Sequence, residues 1–142
     1  MAKSNVIDYI TIASTGNATD FGDLTSGTSE LTGCSNSTRG LFAGGDTVGG
    51  GGGETAVIEY ITIATTGNAT AFGDLTAVRI NLGACSSAVR AVFAGGDSYL
   101  NTIEYVVFST LGDATDYGDL SIARSHLAGL SNCHGGLSWT KN

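Results

Sequence analysis

The feature that most constrains this chain is a sequence that occurs three times. Val6–Thr25 (VIDYITIASTGNATDFGDLT) and Val57–Thr76 (VIEYITIATTGNATAFGDLT) are identical at 17 of 20 positions. A third copy, Thr102–Ser121, matches the second at ten positions. The first and second copies start 51 residues apart, whereas the second and third start 45 residues apart. The additional residues between the first two copies fall in one loop, Asp46–Ala56, which contains the glycine run Gly49–Gly53. Repeats of this length indicate supersecondary units that bury their apolar faces against one another.

Each unit predicts four short strands. In the second unit they cover about Val57–Ala64, Ala69–Leu75, Asn81–Ser86 and Arg90–Ala94. β-branched and aromatic residues fill the first of these segments, and turn residues such as Gly, Asn and Asp separate them. No segment has a sustained apolar period of 3.6 residues, so we expect almost no helix. Four strands in about 45 residues are typical of a propeller blade. The sequence therefore predicts an all-β fold with one half-propeller domain over residues 1–142, in units that start near 6, 57 and 102.

The composition excludes several classes of function. The chain has 13 acidic and 6 basic residues, and its net charge of −7 has the wrong sign for a nucleic acid partner. No apolar run approaches the roughly 20 residues that cross a bilayer, so we expect no membrane partner. The segment Met1–Asn5 lacks the apolar stretch of a signal peptide.

Two motifs resemble the kelch repeat. The strands Leu41–Gly45 (LFAGG) and Val92–Gly96 (VFAGG) are similar to its hydrophobic strand and glycine doublet. Other positions that match or replace kelch residues are Tyr60 and Tyr105 (its tyrosine), Phe72 and Tyr117 (its tryptophan), Arg79 and Arg124 (its arginine) and Thr28, which replaces that arginine in the first unit. The resemblance implies a kelch-like β-propeller. The phrases TIASTGNATDFGDLT and STRGLFAGG also resemble repeats in structural proteins of marine tailed phages, which implies location in a virion after synthesis in the bacterial host cytoplasm.

The kelch strand order implies that the ring is closed by oligomerisation. It places strands three and four at the start of the chain, then two complete blades, then a second half-blade with strand one and a candidate strand two. Three blades cannot form a ring, because propellers typically have four to eight. We therefore expect the exposed edges to associate into a six-blade homodimer, with a nine-blade homotrimer as the alternative. The segment His134–Trp139 is expected to cap the contact between the associated copies.

No residue pattern predicts catalysis, a cofactor or a metal site. His126 and His134 do not recur between units, and no nucleophile motif such as G-x-S-x-G is present. The wide spacing of Cys34, Cys85 and Cys133 favours small hydrophobes in strands over disulfides or zinc ligands. In the third unit Leu130 takes the place of Cys34 and Cys85, as a packing position would allow.

Acidic residues recur in the turns and have two interpretations. They either cap backbone amides with their carboxylates or converge on a Ca²⁺ ion, although the dense spacing of a calcium loop is absent. These residues are Asp23, Asp74 and Asp119, which follow a glycine, and Asp46 and Asp97, which follow the double glycine. The run Gly49–Gly53 lacks the Gly-Lys-Ser/Thr of a P-loop and predicts a flexible loop.

Three residues are the candidates for ligand binding. Arg39 and Arg90 occupy equivalent positions before the strand that ends in the double glycine. An arginine there predicts hydrogen bonds between blades, or contact with an acidic glycan. Tyr99 lies in Ser98–Asn101, which has no counterpart in the other units.

Two functions from different classes fit these observations. The first is a non-enzymatic structural or attachment component of a tailed-phage particle, a rigid propeller that binds other virion proteins or host-surface glycans. The second is a carbohydrate-binding or enzymatic propeller. The near identity of the units favours the first, because an active site needs an asymmetric arrangement of polar groups.

Overall fold

Ten antiparallel β-strands form the fold in the computed structural model, which describes residues 3–49, 52–97 and 100–131. The strands are β1 (Val6–Tyr9), β2 (Thr19–Asp23), β3 (Thr32–Ser35), β4 (Arg39–Ala43), β5 (Val57–Thr62), β6 (Thr70–Asp74), β7 (Gly83–Ser86), β8 (Arg90–Ala94), β9 (Thr102–Val107) and β10 (Thr115–Asp119). These residues contain no helix, as the lack of a helical apolar period predicts. No helix that could span a membrane is therefore found among them.

The strands form three sheets in which neighbours in sequence are also hydrogen-bonded neighbours. The half-sheet pairs β1 with β2, the first sheet has the order β3-β4-β5-β6, and the second sheet has the order β7-β8-β9-β10. The all-β class and the grouping of strands in fours are thus confirmed, and each four-stranded sheet combines two strands of one repeat with two strands of the next. The predicted strands of the second unit lie within two residues of the observed bounds. The three sheets of the described chain do not close into a ring.

A one-residue bulge recurs where the last two strands of each sheet pair. The register shifts between Ile7 and Asp8, between Ile58 and Glu59, and between Asp116 and Gly118. In every unit the residue left without a partner is an aromatic one, whose ring lies edge-on to a tyrosine with the centroids 5.9 Å apart. These ring pairs are Phe21 with Tyr9, Phe72 with Tyr60, and Tyr117 with Tyr105. The bulge therefore explains why one aromatic recurs at this position.

The core lies between the sheets, in two joints. The first joint lies between the half-sheet and the first sheet and buries Phe21, Leu24 and Ala69. The second joint lies between the first and second sheets, and its core is formed by Leu41, Ala43, Ile58, Phe72, Leu75, Leu82, Ala91, Phe93, Val106 and Phe108. Each sheet thus buries its apolar residues against the next sheet along the chain.

The same backbone hydrogen bonds hold both joints. Gly67 N donates to Phe21 O at the first joint (2.8 Å), and Gly112 N donates to Phe72 O at the second (2.9 Å). A second pair of equivalent bonds lies two residues further along: Ala69 N donates to Asp23 O, and Ala114 N donates to Asp74 O, both at 2.8 Å. The approach is so close that a Cβ on Gly73 would collide with the backbone of Gly112. Gly22 makes the same close approach to Gly67 at the first joint, so the contact explains the glycine after the bulged aromatic in the first two units.

A left-handed turn recurs on one side of the joints. Glu30, Asn81 and His126 have φ values of 60°, 56° and 56°, which are uncommon for residues other than glycine. Asn81 N donates to Glu30 O (3.1 Å), and His126 N donates to Asn81 O (2.8 Å). These three equivalent residues therefore link successive units through their backbones.

The predicted strand one of the second half-blade is not found in the described residues. Residues 127–131 form no strand, although Leu127 contacts Gly83 and Gly129 contacts Ala84, so the segment lies against β7. The physical reason is that a first strand needs the second strand of its own blade as hydrogen-bonding partner. That segment, including His134–Trp139 and its predicted capping role, lies outside the described residues.

Candidate functional site

Two of the three candidate ligand-binding residues lie at equivalent positions in different sheets. Arg39 begins β4 and Arg90 begins β8. Each guanidinium lies over a tyrosine ring, Arg39 over Tyr60 at 4.7 Å and Arg90 over Tyr105 at 4.6 Å from the ring centroid. Such stacking holds a guanidinium in one orientation. Tyr99 lies outside the described residues.

A polar groove lies beside Arg39. Its volume is about 500 Å³, and it is lined by Asn36, Thr38, Arg39, Thr62, Ala88, Val89, Phe108 and Ser109. Arg39 Nη1 donates to the carbonyl of Phe108, across the second joint. Asn36 Nδ2 makes a similar contact, to Ala88 O at 3.0 Å. The groove is therefore formed by polar groups that also connect the first and second sheets.

The second joint contains a buried ion pair that sequence reasoning missed. Arg79 Nη2 lies 2.8 Å from Glu104 Oε1, and the two side chains are 1% and 0% exposed. Arg79 also donates to Gly95 O (3.2 Å) and to the Thr76 hydroxyl (3.4 Å), while Thr76 N donates to Glu104 Oε2 (2.8 Å). Burial lowers the pKa of the Arg79 guanidinium, and the charge of Glu104 opposes that shift. Buried charges are stable only when they are paired in this way.

The first joint has a cavity where the second joint has that arginine. We call it the joint cavity; its volume is about 130 Å³, and it is lined by Leu24, Thr25, Ser26, Thr28, Leu31, Phe42, Gly44, Thr47, Thr55, Val57 and Glu59. Glu59, which is 7% exposed, accepts hydrogen bonds from the hydroxyl and the amide of Thr25. The repeat aligns Glu59 with Glu104 and Thr28 with Arg79. The cavity therefore lies where the shorter Thr28 side chain replaces arginine.

One sequence signal could have revealed these two carboxylates. Glu59 and Glu104 occur in the same phrase, Ile-Glu-Tyr, within strands that are otherwise apolar. A charged residue that recurs inside an apolar strand indicates a buried partner, since an unpaired buried charge is costly. The arginine was singled out from the sequence, but its partner was not.

The acidic turn residues have different roles. Asp46 Oδ1 accepts hydrogen bonds from Gly49 N and Val48 N, both at 2.9 Å, as the capping interpretation predicts. These amide bonds, with Lys3 beside them, lower the pKa of Asp46 to about 2. At Asp23 and Asp74 it is the backbone amide that donates across the joint, to Asn68 Oδ1 (3.0 Å) and Asp113 Oδ1 (3.1 Å).

The cysteine and histidine positions are in part as predicted. Cys34 and Cys85 are free, half-buried thiols in β3 and β7. Burial, with Cys85 nearby, raises the pKa of Cys34 to about 12. Their counterpart Leu130 is 94% exposed, so the predicted packing position holds only in the first two units. His126 is exposed and its Nδ1 lies 3.1 Å from Ser125 Oγ, while Cys133 and His134 lie outside the described residues.

Within residues 3–49, 52–97 and 100–131, no group of three or more His, Cys, Asp or Glu side chains is arranged to hold a metal ion.

Comparison with known proteins identifies no relative of the chain. No protein-family model matches the chain, and no curated protein is significantly similar to it in sequence.

Proposed function

We propose that this chain is a kelch-like propeller module that acts as a non-enzymatic structural or attachment component of a tailed-phage particle. In this proposal the two four-stranded sheets are blades and the half-sheet is half of a blade that another copy completes. Two copies then give a ring of six blades, and three copies would give nine. The observation that carries it is the repeated joint, in which the buried charges serve contact between sheets. Arg79 and Glu104 connect two blades, and Arg39 donates across the same joint.

Apolar residues on the two outer faces of the described chain support closure by a second copy. Tyr117 on β10 is 60% exposed, whereas its counterparts Phe21 and Phe72 are 8% and 4% exposed. On the half-sheet side Ile10 and Ile12 are 61% and 94% exposed. They are the counterparts of Val106 and Phe108, which are 3% and 2% exposed in the second joint. If the second sheet of one copy packed against the half-sheet of the next copy, both sets of apolar side chains would be buried.

The charges of the two faces are complementary. In the second sheet Glu104 faces Asp116 across the strand pair, and Arg79 pairs with Glu104. In the half-sheet Asp8 faces Asp20, and both are exposed. Like charges directly opposite each other are destabilising. Arg124, the counterpart of Arg79, is exposed in the described chain and would reach Asp8 of the next copy.

Mass measurement in solution tests the ring. We expect twice the 14.3 kDa chain mass for the wild type, or three times for the nine-blade ring. Ile12→Asp should release folded single chains, because it places a charge in the proposed contact. Val48→Asp is the matched control, since Val48 is likewise an exposed β-branched residue (75%) but lies in the Asp46–Ala56 loop. A folded wild-type chain of single mass at micromolar concentration would disprove closure.

A charge exchange tests the arrangement of the faces. Asp8→Arg and Arg124→Asp should each weaken assembly, and the double variant should restore it. Equal masses for all three variants would show that these residues do not meet.

The location in a particle has its own test. Antibodies against the purified chain should label intact tailed particles in immunogold electron microscopy, and pre-incubation with the chain should remove the label. Labelled host cells with unlabelled particles would contradict the virion assignment.

The polar groove beside Arg39 supports carbohydrate binding as a second candidate function. An arginine held over Tyr60 could meet an acidic sugar if its bond to Phe108 O were exchanged. A glycan array should then show acidic glycans bound by the wild type but not by Arg39→Ala, and Arg90→Ala tests whether the equivalent arginine of the second sheet contributes.

A further inference from the structure

The joint cavity is lined by the counterparts of the residues that bind the Arg79 side chain at the second joint. Arg79 has three polar partners at the second joint, the Thr76 hydroxyl, the Gly95 carbonyl and the Glu104 carboxylate. Their counterparts by the repeat, Thr25, Gly44 and Glu59, all line the cavity of the first joint. The fold thus places the same three kinds of polar partner at both joints, and at the second joint they bind a guanidinium of the chain itself.

We propose that the joint cavity binds a guanidinium group supplied by a ligand. Glu59 would provide the anionic partner, and the carbonyl of Gly44 and the hydroxyl of Thr25 would accept the remaining N–H donors. A guanidinium has five N–H donors in a planar arrangement and no acceptor, so these three acceptors suit it. The chemical class is an alkylguanidinium, either a small compound or an arginine side chain of a neighbouring protein.

The size and the entrance of the cavity are suitable for such a ligand. Its volume of about 130 Å³ is roughly ten times the ~10–15 Å³ that one water molecule requires. Thr25 and Ser26, which line it, are exposed, so a ligand can enter from solvent. The Lys3 ammonium does not take the place of such a ligand, because its Nζ is paired with Asp46 Oδ1 at 3.0 Å.

Titration with methylguanidinium chloride tests the proposal. At constant ionic strength, we expect one saturable site by calorimetry, with amide NMR shifts concentrated at Thr25, Thr28 and Glu59. Urea is the matched neutral probe, because it has a similar planar shape but no charge, and it should not saturate the site. Shifts that are spread over the surface, or equal responses to urea, would overturn the proposal.

Three variants make the test specific. Glu59→Gln keeps an acceptor for Thr25 and should weaken methylguanidinium binding at least tenfold, whereas Asp119→Asn removes an exposed charge on β10 and should have no effect. Thr28→Arg should abolish binding, because the new side chain would occupy the cavity. Arg79→Thr should create a second site and change the stoichiometry from one to two. Unchanged binding in Glu59→Gln and Thr28→Arg would disprove the proposal even if Arg79→Thr failed to fold.

A peptide distinguishes the two sources of the guanidinium. A blocked Gly-Gly-Arg-Gly-Gly peptide that binds more tightly than methylguanidinium would identify an arginine of a protein partner. Binding of methylguanidinium alone would identify a small compound. Failure of both at the Glu59 site would contradict the inference, and neither result depends on whether the ring closes.

Discussion

At the first joint a cavity lies beside Glu59, whereas at the second joint the Arg79 side chain fills the equivalent space and pairs with Glu104. The backbone contacts are nevertheless the same, from Gly67 to Phe21 and from Gly112 to Phe72. The difference teaches that the geometry of a joint is set by its backbone hydrogen bonds and bulged aromatic. The side chain at the arginine position can then vary without changing how two sheets meet.

The phenylalanines before the double glycine should differ most between the joints. Phe93 is fully buried in the second joint, while its counterpart Phe42 is half-buried and lines the cavity. We expect Phe93→Ala to lower the free energy of unfolding by about 3–5 kcal/mol, as is typical for core phenylalanine. Phe42→Ala should cost clearly less, because part of its surface already contacts open space. Urea denaturation measures both, and equal losses would mean that the joints are packed alike.

Removal of the buried arginine should come next. Arg79→Ala leaves the Glu104 carboxylate without its partner, so we expect the free energy of unfolding to fall by an amount on the order of 3 kcal/mol. Water that enters the vacated space should keep the loss from being larger. Thr28→Ala at the other joint should change stability by less than about 0.5 kcal/mol, as is usual where no such feature is lost. If the two variants were equally stable in urea, the ion pair would contribute nothing to the second joint.

The backbone contact that both joints share should respond independently of the arginine. Gly73→Ala places a methyl group against the backbone of Gly112, and we expect a loss of about 2 kcal/mol from overpacking. Gly16→Ala is the control, because no atom lies within 4 Å of a Cβ there. Thermal denaturation of both should show a lower Tm only for Gly73→Ala. An unchanged Tm would mean that the sheets can separate without cost.

The smallest effect should come from pH at the first joint. Because the folded-state pKa of Asp46 is lowered to about 2, its carboxylate stabilises the fold above the unfolded pKa of about 3.9. That contribution should fall as the pH drops from about 4 towards 2. Asp46→Asn should remove this part of the pH dependence, as measured by denaturation at several pH values. A slope that persists in Asp46→Asn would contradict this assignment.

The repeat predicted the architecture well for a physical reason. Strand-forming segments separated by Gly and Asn turns define local hairpins, and three copies had to fold alike. Strand bounds such as Arg90–Ala94 therefore agreed with the structure, and so did the lack of helix. Residues 127–131 were predicted less well, because a strand depends on its hydrogen-bonding partner as well as on its own sequence.

The candidate site could be predicted only in part. Arg39 and Arg90 were identified by their repeat position, but their stacking on Tyr60 and Tyr105 depends on the register between strands. The joint cavity was beyond sequence reasoning, because it results from the absence of a side chain between two sheets. The Thr28 replacement was visible in the sequence, whereas the space it leaves depends on Glu59 being held opposite.

The line of left-handed turns gives the molecule a direction. Each bond in it runs from the amide of a later unit to the carbonyl of an earlier one, His126 to Asn81 and Asn81 to Glu30. Two copies that met through identical faces would place donor against donor or acceptor against acceptor. Copies that extend this line must therefore associate head to tail, in a heterologous contact. Such a contact gives a ring when the rotation between copies closes and a filament when it does not. The angle set at one joint would then decide between a closed ring of fixed size and an open polymer.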